Sequence, residues 1–193
     1  MTRTPPPGSP ASSPADPPPT PPPDDKDWTW VLDRRCPDCG ADVGSIPGSA
    51  IARRIAVWTD PWQSVLAGED VAVRPTPTTW SPLEYACHVR DVCRLFDERL
   101  RLMLTQDAPR FANWDQDETA LAERYHEQDP TAVMRELAVA AAGWAASYRD
   151  VPDDAWERPG LRSDGSHFTV LTLGRYGLHD LGHHLHDVGV DIP

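Results

Sequence analysis

Four of the seven histidines in this 193-residue chain fall between His179 and His186. At about 100° per residue on a helix, His183 lies about 40° to one side of His179 and His186 about 20° to the other, while His184 is turned away by about 140°. The i, i+4 pair His179/His183 can present two imidazoles to one metal ion. The competing reading is a polar helix end whose histidines complement the helix dipole. A fifth histidine, His88, shares its helical arc with Tyr85, Val92, Leu95, Phe96 and Met103, while Arg90, Arg94, Asp97 and Arg101 take the opposite side. A buried imidazole needs partners for its nitrogens. One histidine from this helix facing an i, i+4 pair from the last helix gives a three-histidine site with an open position, a catalytic pattern for zinc and similar divalent metals.

The remaining chemistry-bearing residues are weaker candidates. Asp91 lies on the edge of the His88 arc, where it orients His88, acts as a base or simply faces solvent. Glu84 is better explained by a helix cap. Cys36-Pro-Asp-Cys39-Gly40 has the spacing of a metal knuckle, but no second Cys-x-x-Cys exists. A closed structural site would need two distant ligands or a partner chain, and no thioredoxin-like pattern surrounds the pair to support a redox role. Cys87 and Cys93 point away from His88 and read as structural.

Four long amphipathic segments position these groups. The first runs from about Ser49 to Ala67, with a kink or fresh start at Pro61. The second opens at Ser81-Pro82-Leu83-Glu84, a capping box with Pro at the first helical position, and runs to about Leu104. A loop carrying Asn113-Trp114-Asp115-Gln116-Asp117 leads to a short helix near residues 116–126. Asp129-Pro130 opens the third long helix, residues 157–166 read as loop, and Thr169 caps a last helix from Val170 to about Val188. No strand pattern competes. The fold class is all-α, a four-helix bundle, with residues 1–25 as a disordered Pro-rich tail, 26–47 as a short segment carrying Cys36 and Cys39, and 48–193 as the bundle.

Eleven of the 22 prolines precede residue 24, a stretch without aliphatic or aromatic side chains beyond Met1 and alanine, which cannot bury enough apolar surface to order itself. A net charge of −12 argues against nucleic-acid binding. No apolar run is long enough to span a membrane and no secretory signal is visible, so the expected setting is cytoplasmic, with reduced thiols.

Trp80-Ser-Pro-Leu-Glu84-Tyr-Ala-Cys-His88, followed some 90 residues later by His179-x-x-x-His183, resembles the DinB superfamily, which includes YfiT-like hydrolases, mycothiol-dependent maleylpyruvate isomerases and thiol S-transferases. Asp27-Trp-Thr-Trp, Cys36-Pro-Asp-Cys39-Gly, Asn113-Trp-Asp-Gln-Asp and Pro152-Asp-Asp-Ala-Trp156 further resemble an actinobacterial subgroup of it. The resemblance implies an up-down-down-up bundle, often dimeric. It implies one divalent ion, zinc or nickel, on His88, His179 and His183, with His186 as an outer neighbour. It also implies metal-assisted chemistry on a small molecule, with mycothiol as a co-substrate transferred to an electrophile. Asn113, Trp114 and Arg162 are the expected grips for such a ligand at the mouth of the site. Hydrolysis, or non-catalytic metal binding by the bundle as a scaffold, are the alternatives.

Overall fold

A computed structural model of the chain describes residues 27–193; the expected Pro-rich tail lies outside the described residues. Two short 3-10 turns, Trp28–Leu32 and Val43–Ser45, lead into six helices: α1 (Gly48–Thr59), α2 (Trp62–Leu66), α3 (Pro82–Thr105), α4 (Gln116–Ala122), α5 (Pro130–Arg149) and α6 (Val170–Asp187). The restart expected at Pro61 is the α1/α2 break. The four long helices pack in the cyclic order α1–α5–α3–α6. Helices α1 and α3 therefore stand diagonally opposite one another, as do α5 and α6. The bundle centre is filled by Ile51, Ile55, Trp62, Leu100, Met103, Trp144, Leu173, Leu178, Leu181 and Leu185, all fully buried.

Close approach of α6 depends on a residue without a side chain. A Cβ built on Gly177 would stand 2.7 Å from the Phe96 ring of α3 and 2.8 Å from the Trp144 ring of α5. This packing fixes the height of α6, and hence of its histidines, against α3.

One expectation is corrected. The segment around residues 157–166 is not simply loop: β2 (Pro159–Arg162) pairs antiparallel with β3 (His167–Thr169) and parallel with β1 (Arg110–Phe111). Strands of two to four residues are too short to show a two-residue alternation. Backbone hydrogen bonds and Gly165 at φ +97° make this sheet, and it ties the loop after α3 to the entry of α6. Among the described residues, no helix is long and apolar enough to cross a membrane.

Candidate functional site

The start of α3 is held from both sides. The Ser81 hydroxyl accepts from Glu84 N at 3.2 Å, and Glu84 Oε2 accepts from Ser81 N at 2.8 Å. Arg74 Nε donates to the same carboxylate at 2.8 Å. Burial alone would raise the Glu84 pKa, but the bonds from Arg74 and Ser81 outweigh it and hold the carboxyl below its usual range. One turn further on, His88 projects into the bundle and is fully buried. Helix α6 is capped in the same manner, by Thr169 and Thr172.

Helix α6 presents two stripes to two different neighbours. On the first, His88 Nε2 lies 3.1 Å from Asp180 Oδ1, and His184 Nε2 lies 3.0 Å from the same oxygen. The His88 and His184 rings stand nearly perpendicular, 4.6 Å between centroids. Trp114 stacks on His88 at 5.2 Å, its plane inclined by 9°. The other nitrogen of His184, Nδ1, lies 2.8 Å from Asp187 Oδ2. Burial opposes the imidazolium of His184, but its bonds to Asp180 and Asp187 prevail and lift its pKa to about 9. Burial would likewise raise Asp180, yet hydrogen bonds from both imidazoles hold it well below the usual carboxylate range. Burial lowers His88 despite Asp180. At neutral pH, without a metal, the trio is thus a neutral His88, a carboxylate and an imidazolium. His88 then donates from Nε2, and its Nδ1 is left buried without a hydrogen-bond partner.

The second stripe faces the N-terminal segment. Cys36, Cys39, His179 and His183 bring one ligand-type atom each to within 4.8 Å of one another, and His88, Asp180 and His184 form the other such group. Cys36 Sγ lies 3.8 Å from His183 Nδ1. The Trp28 ring packs 5.4 Å from His179 and 5.0 Å from His183. Burial, with His183 nearby, pushes His179 down to about 4, and burial also lowers His183. His179 Nε2 is buried without a hydrogen-bond partner.

The three histidines expected to share one ion are therefore divided between two donor sets. His179 and His183 do lie together, with ring centroids 5.1 Å apart, but they face the two cysteines, and His88 faces Asp180 and His184. The helical geometry that turned His184 away from His179 holds; it turns His184 toward His88. The N-terminal segment, whose position no local pattern reveals, occupies the space in front of His179 and His183. Asp91 is engaged elsewhere: Arg90, Arg94 and the Tyr125 hydroxyl, at 2.9, 3.0 and 2.6 Å, donate to it. His186 is exposed, its ring 6.3 Å from that of His183. Sequence reasoning missed Asp180, although its i, i+4 spacing to His184 was a usable signal.

A polar cavity of about 520 Å³ opens beside the first stripe, lined by Trp28, Phe96, Arg99, Asn113, Trp114, Arg162, Tyr176 and Asp180, with Asp27, Asp115 and Asp164 among its acidic groups. Asn113, Trp114 and Arg162, expected at the mouth, all line it. Arg162 is paired with Asp164 at 2.8 Å. Arg99 is not paired: it is 4% exposed, Nη2 donates to Ala112 O at 2.8 Å, Nε has no partner, and no carboxylate of the described residues forms an ion pair with it. Burial lowers its pKa to about 10, so it remains a cation at neutral pH.

The DinB superfamily model matches residues 59–188; the chain belongs to this superfamily. Among solved structures it is similar to YfiT from Bacillus subtilis, described as a probable metal-dependent hydrolase with an unusual four-helix bundle topology. The two share 19% identity over 74% of this chain and 86% of that one, with a TM-score of 0.66. It is also similar to the mycothiol-dependent maleylpyruvate isomerase, with 15% identity over 78% of this chain and 66% of the other and a TM-score of 0.60. At these identities the likeness establishes the fold. A comparison with curated proteins finds no match.

Proposed function

We propose that this protein is a metal-dependent hydrolase of small polar molecules bearing an anionic group. Its ion would be held by His88, Asp180 and His184 at the inner wall of the cavity. The observation that carries this reading is the position of Asp180, which touches both imidazoles and also lines the cavity. Two imidazoles and one carboxylate form a three-donor set that leaves positions for water and substrate. The set fits an ion on one further count: Asp187 supports His184 from its far side, as carboxylates do behind metal-ligating histidines.

When bound, such an ion supplies Lewis acidity toward water and toward a substrate carbonyl or phosphoryl oxygen. The protein's own contribution is positioning. Asp187 fixes the ring of His184, and Trp114 covers the face of His88 and limits access of bulk water. Arg99, a buried cation without a carboxylate, offers its charge to a substrate oxyanion, while Asn113 and Arg162 supply polar contacts further out.

Thiol transfer with mycothiol as co-substrate is the second reading. The similarity to the mycothiol-dependent isomerase and the size of the polar cavity, within the usual range for small-molecule sites, favour it. Assay of the zinc-loaded full chain against half-esters and half-amides of small dicarboxylic acids, and against an epoxide with and without mycothiol, separates the possibilities. Hydrolysis that needs no thiol and is lost in His88→Ala is the expected result. Turnover only with the thiol establishes the transferase, and ligand binding without turnover leaves a binding scaffold.

A further inference from the structure

We infer that Cys36, Cys39, His179 and His183 form a closed four-ligand site for one zinc-class divalent ion, separate from the site proposed above, which fastens the N-terminal segment to α6. The Cys36–Gly40 turn lacks the second half of a tetrahedral site in sequence; α6 supplies that half in space. All four donors fall within 4.8 Å of one another. Two sulfurs and two imidazole nitrogens are a tetrahedral zinc set, and four protein donors leave no coordination position for substrate.

The local structure is built for this. Cys36 N donates to Ala41 O at 2.8 Å and Gly40 N to Cys36 O at 3.0 Å. Gly40 sits at φ +75°, a conformation that favours glycine. The resulting tight turn places both thiols toward α6. Cys36 is fully buried, its sulfur is 3.8 Å from His183 Nδ1, and His179 Nε2 is a buried imidazole nitrogen with no hydrogen-bond partner. An ion gives that nitrogen a bond that nothing else among the described residues provides. Trp28 and Trp30 close over the His179 ring at 5.4 and 6.5 Å between centroids. On binding, each thiol gives up its proton to solvent and the sulfur coordinates as thiolate.

The clamp also shapes the cavity. Asp27 and Trp28, which line it, belong to the segment that the clamp holds. The cluster therefore builds one wall of the reaction chamber without taking part in the reaction.

The test is cobalt and zinc loading of the full-length chain. Cobalt-loaded wild type should show intense thiolate-to-cobalt charge-transfer absorption with tetrahedral ligand-field bands. Cys36→Ser and Cys39→Ser should each lose the charge-transfer intensity and one bound ion per chain; His88→Ala should keep both this signal and this ion. Because a cysteine variant could fail to fold, the unaltered protein gives a second readout: Cys39 should resist alkylation when zinc-loaded and become labelled after chelation, as read by peptide mass spectrometry. Absence of thiolate charge transfer in cobalt-loaded wild type overturns the inference. So does labelling of Cys39 that is the same with and without zinc, or a Cys36–Cys39 disulfide in protein purified without oxidant. If His88→Ala loses no metal while the thiolate signal stands, the proposed function fails and this inference holds.

Discussion

The sulfur of Cys36 lies 3.8 Å from Nδ1 of His183, across 147 positions of sequence. The last-helix histidine pair clusters with the two cysteines, while Asp180 and His184 face His88. Two donor sets lie on adjoining stripes of one helix, where spacing suggests a single three-histidine site.

Asp187 lies behind the cavity-side set. Its Oδ2 is 2.8 Å from His184 Nδ1, while its Oδ1 stands 4.0 Å from His183 Nε2. Asp187→Asn should weaken metal binding at His88, Asp180 and His184 by about 10–100-fold, the usual effect of losing an outer carboxylate. The thiolate-containing ion should be affected much less, because its nearest approach to Asp187 is the longer one. Competition titration with a chromophoric chelator, in wild type and variant, measures both affinities.

Arg99 is a buried cation with no carboxylate partner among the described residues; its guanidinium lies over the Phe111 and Phe96 rings at 4.9 and 5.5 Å, and burial works against its charge in the free protein. Arg99→Met should leave the unfolding free energy within about 1 kcal/mol of wild type, since replacing a buried charge by an apolar side chain is often neutral or stabilising. The same change should abolish the rise in melting temperature produced by small mono- and dicarboxylates, while leaving any effect of neutral polyols. Thermal-shift titration checks both halves; a carboxylate effect retained in Arg99→Met would remove Arg99 from the recognition.

The Glu84 carboxylate anchors the start of α3. Its folded pKa lies below the ordinary value of 4.5, so the unfolded chain takes up the proton first as pH falls. The stabilisation is complete above about 4.5 and is lost as pH drops through the folded value. Glu84→Gln should cost roughly 1–2 kcal/mol at neutral pH. The difference from wild type should shrink progressively below about pH 4.5, as urea denaturation across that range would show.

Gly177→Ala would place a methyl group 2.7 Å from Phe96 and 2.8 Å from Trp144. Alanine favours a helix over glycine by about 1 kcal/mol, but overpacking costs about 1–3 kcal/mol, and two rigid rings leave little room to yield. Net destabilisation is expected, with weaker binding at both donor sets because α6 carries residues of each. Chemical denaturation and metal titration test this together.

Much of the framework was legible in the chain. The Ser81/Glu84 capping box, Pro82 and Pro130 at helix starts, Thr169 as a cap and the break at Pro61 are local signals, and each lies where the side chains dictate. A helical wheel correctly gave the angle between His179 and His184. It could not show what stood opposite each stripe, because that depends on where a segment about 140 residues earlier folds back. The Cys36–Gly40 turn likewise reads as half a site until its partners are brought to it. The small sheet escaped notice because β1, β2 and β3 are made by backbone bonds over too few residues to leave a pattern.

Anomalous scattering at the zinc edge from crystals of the zinc-loaded chain locates the bound metal directly. Two peaks per chain are expected, one among Cys36, Cys39, His179 and His183 and one bound by His88, Asp180 and His184 at the cavity wall. A single peak shared by His88, His179 and His183, or no density at His88, would contradict this.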